Sequence, residues 1–261
     1  MDAKPLSSRL FRVLLCKGTL KRMRKVRYIP TRAFQAILLA FAIPFLVYCQ
    51  QRPSVAELLQ QFETTRVFWQ QFEVAKAIVA AKDTTVLPKL RPWLANEDRH
   101  LRGNAAFIYA GLGDPRGFDV VVSILRDYSD RPEGQGIPGG IWSLRGQIVA
   151  DRYYAAHLLG DLKDPRAVPI LVPLLNDPEV NYIVPWSLGQ IGARDAIQPL
   201  IRQLSDRNPS LRVLAIHALV ELKANEALPR LRQLLGDNER SNFDKSESVA
   251  EAAQAAITKL Q

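Results

Sequence analysis

The side chains that most often do chemistry in proteins are scarce in this sequence. It has three histidines, His100, His157 and His217, and two cysteines, Cys16 and Cys49. No Cys-x-x-Cys pair, Walker loop or Gly-x-Ser-x-Gly elbow is present. His157 and His217 occupy equivalent positions two units apart in an internal repeat. They would lie about 20 Å apart at a helix spacing near 10 Å, too far to share a metal with bonds of about 2 Å. The sequence therefore predicts no metal site, no cofactor and no catalytic group.

Positive charge is concentrated at the N-terminus. The 261 residues include 35 Lys and Arg against 26 Asp and Glu, a net charge of +9. Residues 1–32 hold ten of the basic side chains and one acid, so the remainder is neutral. A nucleic-acid-binding domain carries its basic excess on the folded surface, so we expect no nucleic-acid partner. With 48% apolar residues, the chain is also too hydrophobic to be disordered throughout.

An apolar segment follows this basic tail. Residues 33–49 contain Gln35 as their only strongly polar side chain, and as a helix they would reach about 25 Å, against about 30 Å for a bilayer core. A basic flank before an apolar stretch is typical of a signal anchor or signal peptide. The sequence thus predicts a membrane-anchored protein with a cytoplasmic N-terminus, or a secreted one if the leader is cleaved. The residues before Cys49 resemble a lipobox, in which the cysteine is lipidated, although a tyrosine stands where that motif has a small residue. Met23 is an alternative start.

Internal repetition is the strongest pattern in the sequence. The motif Ala-x3-Leu-x3-Leu-x-Asp begins at Ala167, Ala196 and Ala227, and variants of it begin at Val86 and Gly117. A second apolar segment with i, i+3, i+4, i+7 spacing precedes most copies, as expected for an amphipathic helix. Each unit is therefore a pair of short helices, and stacked units bury a continuous core.

These patterns predict an all-α fold, a right-handed α-solenoid of about five antiparallel helix pairs over residues 83–261. A linker with capping helices at residues 50–82 and the apolar helix at 33–49 would precede it. The spacing between two copies is lengthened by roughly twenty residues, which we assign to an inserted loop at 128–147. Five glycines and prolines within residues 134–140 exclude regular structure there.

The segments Arg152–Ala167, Trp186–Ala196 and Leu211–Leu222 resemble HEAT repeats, of the short bacterial kind also found in phycobilin-lyase subunits. The resemblance covers roughly residues 70–261. It implies a solenoid, and in most members a scaffold or binding surface. Two kinds of enzyme share the repeat. Deoxyhypusine hydroxylase builds a di-iron site from His-Glu pairs, which this chain lacks. Phycobilin lyases act on cytoplasmic antenna proteins, a task that the predicted export of the repeats does not suit.

Two sets of residues are candidate binding surfaces. Aromatic and histidine side chains on the second helices are predicted to form a ridge along the concave side, and exposed Tyr and Trp are typical of binding hot spots. The alternative is packing between units. The ridge residues are Phe107, Tyr153, His157, Tyr182, Trp186 and His217. The inserted loop offers further contacts, with a disordered spacer as the alternative. These loop residues are Arg131, Glu133, Gln135 and Trp142.

Two rows of charged residues recur with the repeat and are predicted to be structural. In solenoids of this kind, such side chains link neighbouring units through charge-assisted hydrogen bonds. The basic row is Arg102, Arg152 and Arg212, and the acidic row is Asp127, Asp177, Asp206 and Asp237.

The sequence alone thus favours a non-catalytic scaffold of the bacterial cell envelope. It would bind a partner protein through the ridge and the loop, contact the membrane through residues 33–49, and have no small-molecule substrate. The alternative is an enzyme, or enzyme subunit, of the HEAT-like lyase type that acts on a protein-bound chromophore. A cytoplasmic adaptor with a different start is a third interpretation.

Overall fold

Helices make up the regular structure of this chain. The computed structural model describes residues 53–129, 144–242 and 247–261. Apart from one isolated β-bridge, between Arg240 and Ser248, the regular elements in these ranges are α-helices and short 3₁₀ segments. In chain order the α-helices are α1 (Val55–Thr64), α2 (Phe68–Ala81), α3 (Leu87–Leu90), α4 (Arg99–Gly111), α5 (Pro115–Leu125), α6 (Leu144–Leu162), α7 (Val168–Leu171), α8 (Val184–Ile191), α9 (Ile197–Gln203), α10 (Pro209–Glu221), α11 (Leu228–Gln233) and α12 (Val249–Leu260).

Most first helices of the repeat pairs are broken into 3₁₀ and α segments. The 3₁₀ segments Thr84–Val86 and Arg91–Ala95 flank α3, and Pro165–Ala167 and Val172–Asn176 flank α7. Prolines stand at the first or second position of α3, α7 and α11. Because proline lacks an N–H and its ring clashes with the preceding turn, a regular α-helix does not continue through these positions.

The ends of the second helices show the repeat in the backbone itself. Side chains of Asp98 and Asn208 cap the N-termini of α4 and α10, and Ser248 forms a capping box on α12. After α2, α4, α6, α8 and α10 the chain turns through one left-handed residue. These residues are Lys82, Gly113, Lys163, Gly192 and Lys223. A left-handed residue is a common way to end a helix, and here it returns the chain to the next first helix.

Stacking of the second helices builds the core. Consecutive members of the row α2, α4, α6, α8, α10 and α12 pack on one another. The first-helix segments cover this row from one side, as α5 covers α4 and α6. Small and branched apolar residues such as Ala155, Leu158 and Leu188 are fully buried between them. The described part of the chain is therefore an all-helical solenoid, as predicted.

One residue of the repeat motif departs from its predicted place. Leu175 and Leu204 point into the core, but the corresponding Leu235 is 43% exposed and its neighbour Leu234 is buried instead. Helix α11 ends at Gln233, two residues before Leu235, whereas α9 ends at Gln203, one residue before the buried Leu204.

Candidate functional site

Aromatic rings from four successive second helices meet on the described solenoid. We call this group the aromatic cluster, and its members are Phe68 and Phe72 of α2, His100 and Phe107 of α4, Tyr154 and His157 of α6, and Trp186 of α8. The ring centroids of Phe72 and Phe107 are 4.9 Å apart, and those of Phe72 and His157 are 5.8 Å apart. These separations are typical of favourable aromatic pairs.

The His157 and Trp186 rings form the closer of the two parallel stacks in the aromatic cluster. Their centroids are 4.5 Å apart and their planes differ by 17°. The absence of a side chain at Gly160 permits this geometry. A β-carbon there would lie 2.8 Å from the Cα of Ser187 and 3.0 Å from the Trp186 ring. Both stacked side chains are partly exposed, so part of the stack is accessible to solvent.

A buried polar network holds the α2 side of the aromatic cluster. The Tyr154 hydroxyl donates to Asn104 Oδ1 at 2.5 Å, and Asn104 Nδ2 donates to Gln71 Oε1 at 2.9 Å and to the Phe68 carbonyl at 2.8 Å. Asn104 and Gln71 are fully buried. Burial raises the pKa of Tyr154 far above its ordinary value, so its hydroxyl stays a hydrogen-bond donor. This network fixes the orientation of the rings on α2 and α6.

Two titratable side chains lie at the edge of the His157–Trp186 stack. His157 Nδ1 is 3.7 Å from Asp161 Oδ2, one helical turn away on α6. Burial raises the pKa of Asp161 and lowers the pKa of His157. Lys76 and Glu73, which form an ion pair at 2.7 Å on α2, also act on Asp161. Proton transfer and hydrogen bonding are therefore both available beside the stacked rings.

The predicted ridge residues occupy different environments. Phe107 is buried against Phe72, and Tyr153 is 40% exposed. The Tyr182 hydroxyl accepts a hydrogen bond from Asn208 at 2.8 Å, and His217 Nε2 lies 3.0 Å from Glu247. Of the predicted ridge, the aromatic cluster thus contains Phe107, His157 and Trp186. A role in partner binding stays a prediction for all six residues.

Several members of the site were not identified from the sequence. Phe68 and Phe72 fall in a stretch interpreted as a linker with capping helices, although their i, i+4 spacing on a helix was a usable signal. Asp161 stands four residues after His157, so the same i, i+4 spacing places these two side chains on one face of a helix. Tyr154 and His100 carried no distinctive pattern, because their meeting depends on how α4 and α6 pack.

Two residues of the basic row, Arg152 and Arg212, form ion pairs with acidic side chains. Arg152 Nη2 contacts Asp177 at 2.6 Å and Nη1 contacts Glu179 at 2.5 Å, and Arg212 pairs with Asp237 at 2.9 Å and with Glu239. Arg102 instead donates to the carbonyl of Asn96 at 2.6 Å.

The other acidic residues of the predicted rows have different partners. Asp127 pairs with Arg99 at 2.8 Å. Asp206 accepts from the Asn208 N–H at 2.7 Å, and its carbonyl accepts from Arg212 at 2.7 Å.

The predicted loop contacts lie outside the described residues. These are Arg131, Glu133, Gln135 and Trp142. At the C-terminal side of the predicted insertion, residues 144–147 already belong to α6.

A separate surface cavity lies between neighbouring first-helix segments. It has a volume of about 440 Å³ and is lined by residues including Val172, Pro199 and Arg202. None of its lining residues belongs to the aromatic cluster. Within the described ranges, no three His, Cys, Asp or Glu side chains come together as a metal site.

Comparison with known proteins identifies the repeat. The family described as HEAT repeats matches residues 148–201 and 176–255. The chain is 32% identical to the bilin biosynthesis protein PecE of Mastigocladus laminosus over 145 residues, which are 54% of this chain and 49% of that protein. It is 36% identical to the phycocyanobilin lyase subunit alpha of Synechococcus elongatus over 98 residues, which are 33% of this chain and 36% of that protein. The chain thus spans about half the length, or less, of these curated relatives.

Two further matches are another PecE protein and a solved structure. PecE of a Nostoc species is 32% identical over 145 residues, covering 54% of this chain and 53% of that protein. The crystal structure of an engineered protein aligns with 80% of this chain and 97% of its own, at 19% identity and a TM-score of 0.43.

The relatives overturn the function predicted from the sequence. A non-catalytic scaffold of the cell envelope without a small-molecule substrate was expected, but these relatives are named for bilin biosynthesis and as a lyase subunit. The predictions of a non-enzyme and of a protein as the only ligand are wrong for the same reason.

The membrane predictions are corrected as well. The relatives' names contradict a signal anchor, a membrane attachment and an exported location, and the expected export was the reason for setting the lyase aside. As a helix, the apolar segment is shorter than a bilayer core. That segment, residues 33–49, and the proposed lipidation site Cys49 lie outside the described residues. None of the helices that the structure describes has the length and apolar character needed to cross a membrane.

The alignments and the stacked helix pairs agree on the nature of the repeat. Residues 148–255 of the chain are HEAT repeats, and they are similar to the repeats of phycobilin-lyase proteins.

Proposed function

We propose that this chain binds a bilin at the aromatic cluster and works as an enzyme, or as a subunit of one, of the bilin-lyase type. Its substrate would be a chromophore that is joined to, or removed from, a carrier protein. The observation that carries the proposal is the partly exposed His157–Trp186 stack beside Asp161. The names of the curated relatives give the chemical class of the ligand.

The chemistry of the aromatic cluster fits an open-chain tetrapyrrole. Such a molecule is elongated and conjugated, and stacking of one ring on an aromatic side chain contributes about 0.5–1.5 kcal/mol beyond the burial of its area. Its pyrrole N–H groups are donors that the Asp161 carboxylate can accept. Its acidic side chains need a cation, and Lys76 lies 5.0 Å from the Phe72 ring with 41% of its side chain exposed.

The open form of the site suits a chromophore that passes between proteins. A closed pocket surrounds most of a small ligand, whereas the carrier protein must reach the bilin while it is bound. A row of stacked second helices offers an extended surface instead. We propose the exposed ridge residues Tyr153 and His217 as contacts for the carrier protein. We also propose the loop residues Arg131, Glu133, Gln135 and Trp142 as contacts for the carrier protein.

Titration with phycocyanobilin tests this function. Adding the bilin to the purified full chain should shift the absorption spectrum with a measurable Kd, and Trp186→Leu should weaken binding about tenfold or more, which corresponds to about 1.4 kcal/mol. Trp69→Leu is the matched control, because Trp69 is 57% exposed and lies outside the aromatic cluster. Absence of binding by the wild-type chain would refute the proposal. Equal losses in both variants would refute the proposed location.

Two finer features of the architecture are part of the same proposal. We infer a right-handed superhelical twist of about five helix pairs over residues 83–261. For the chain before residue 83 we propose three segments: a basic tail at 1–32, an apolar helix at 33–49, and a linker with capping helices at 50–82.

A further inference from the structure

A histidine and a carboxylate face each other at the edge of the aromatic cluster without a hydrogen bond between them. His157 Nδ1 is buried and has no hydrogen-bond partner in the structure. Its nearest acidic atom is Asp161 Oδ2 at 3.7 Å, beyond ordinary hydrogen-bond distance. The two side chains remain 30% and 23% exposed. A buried polar nitrogen without a partner costs free energy, so folding alone does not explain this arrangement.

The groups around the pair come from three helices. Helix α2 brings Glu73 and Lys76, whose charges act on the pair, together with the Phe72 ring at 5.8 Å from the imidazole. Helix α6 contributes Tyr154, whose ring centroid is 6.1 Å from that of His157. Lys163, the residue that follows α6, acts on Asp161 through its charge. Helix α8 contributes the uncharged Trp186. Asp161 is therefore the carboxylate placed to stabilise a charged imidazole, and Lys76 opposes that charge.

We propose that His157 carries the proton in a lyase reaction on the bound bilin and that Asp161 is its positioning partner. The inference rests on the proposed function and goes beyond it by assigning the proton transfer. Asp161 would accept a hydrogen bond from Nδ1–H, which fixes the tautomer of the imidazole and stabilises the imidazolium. Catalytic hydrogen bonds are often long without substrate and tighten when it binds, so the 3.7 Å separation has to close.

The reaction balances without an oxidant or a reductant. A nucleophile that bears hydrogen, such as a thiol, gives its proton to His157 as its heteroatom bonds to one carbon of a bilin double bond. The π electrons of that double bond move to the other carbon, which takes the proton back from the imidazolium. The reverse elimination uses the same groups in the opposite order. Trp186 stacks on the catalytic imidazole and restricts its rotation.

Addition of a small thiol separates the proton transfer from bilin binding. Wild-type chain, His157→Gln and Asp161→Asn are each saturated with phycocyanobilin and mixed with 2-mercaptoethanol, and the adduct is followed by its change in absorbance. The wild-type chain should accelerate the addition. The rates are compared at saturating bilin, where a weaker Kd does not enter the rate. Both variants should then lose the acceleration by about 100-fold or more, the usual contribution of a positioned acid–base group.

The pH profile supplies a readout that a merely structural role would not change. Protonation of His157 should produce an acid limb in the rate. The Asp161 carboxylate raises the pKa of His157, against the effect of burial, so Asp161→Asn should move the limb to lower pH. Glu247→Gln is the matched control, since Glu247 pairs with a histidine at the equivalent repeat position, and it should leave rate and limb unchanged.

Each other outcome decides against the inference in a distinguishable way. If wild type binds bilin without accelerating the addition, or if the variants keep the wild-type rate, the proton-transfer role is overturned while bilin binding stands. If Asp161→Asn abolishes binding, Asp161 is a binding group only and the inference fails. If wild type does not bind bilin, the proposed function fails and takes the inference with it.

Discussion

Replacing Arg152 with alanine should destabilise the described solenoid more than any exposed arginine would. The side chain is 1% exposed, and besides its ion pairs with Asp177 and Glu179 its Nε donates to the Leu125 carbonyl at 3.0 Å. It also stacks under the Tyr128 ring at 4.1 Å. One guanidinium therefore joins α5, α6 and the turn before α8.

The magnitude follows from what the substitution leaves behind. Removing one partner of a buried pair costs about 3–5 kcal/mol, because the remaining charge is unpaired. Asp177 and Glu179 are 18% and 16% exposed, and Asp177 keeps a hydrogen bond from the Glu179 N–H at 3.0 Å. Because water and this hydrogen bond partly stabilise the remaining carboxylates, we expect the free energy of unfolding to fall by about 3 kcal/mol, the low end of this range. For a chain of this size that corresponds to a Tm lower by about 6–12 °C.

Thermal and urea unfolding followed by far-ultraviolet circular dichroism measure the effect. Arg116→Ala is the matched control, since Arg116 makes an ion pair of similar length, 2.6 Å, with 59% of its side chain exposed, and it should leave the Tm nearly unchanged. Arg152→Lys should fall between the two, because lysine keeps the charge but not the planar fork of donors. A Tm for Arg152→Ala equal to that of Arg116→Ala would refute the structural role of this arginine.

Two further substitutions test the packing and electrostatics of the site. Gly160→Ala should lower the free energy of unfolding in chemical denaturation by about 1–3 kcal/mol and weaken bilin binding. The new β-carbon would lie 2.8 Å from Ser187 Cα and 3.0 Å from the Trp186 ring. A variant as stable as wild type would contradict this close approach. Asp161→Asn should raise the Tm at pH 8, because burial raises the pKa of Asp161 and so makes its ionised form costly in the native state. That gain should disappear as the pH falls below about 4, where the carboxyl is protonated in both native and unfolded chains; a gain that is independent of pH would contradict the assignment to charge.

The helical pairs were predictable because their information is local. Ala and Leu at helical spacing indicate the buried face of each helix, and the recurrence of this pattern along the chain predicts that the helix pairs stack. Details that depend on where a helix ends were not predictable. Leu235 fits the motif yet is exposed, because α11 stops at Gln233. Likewise, proline spacing indicated bent first helices, but only the structure shows how α3 and α7 break into 3₁₀ segments.

The site was predictable only in part, because it depends on contacts between units. His157 and Trp186 follow from equivalent positions in successive repeats, and their stacking uses that equivalence. The α2 rings Phe68 and Phe72 lie before the solenoid predicted at residues 83–261 and reach the site through tertiary packing. The predicted function was wrong because the basic N-terminal segment predicted export, and export excluded the lyase function that the repeats resemble. The aromatic cluster contains no short sequence motif that would have indicated a lyase.

The position of the bound chromophore tests the central claim most directly. A crystal structure of the full chain with phycocyanobilin should place a bilin ring against Trp186, at the centroid separations of about 4.5–7 Å usual for aromatic pairs. It should also place a pyrrole nitrogen or the reacting double bond next to His157, with Asp161 closed onto Nδ1. A bilin bound in the cavity at Val172 and Arg202, or elsewhere away from the aromatic cluster, would contradict the assignment of the site.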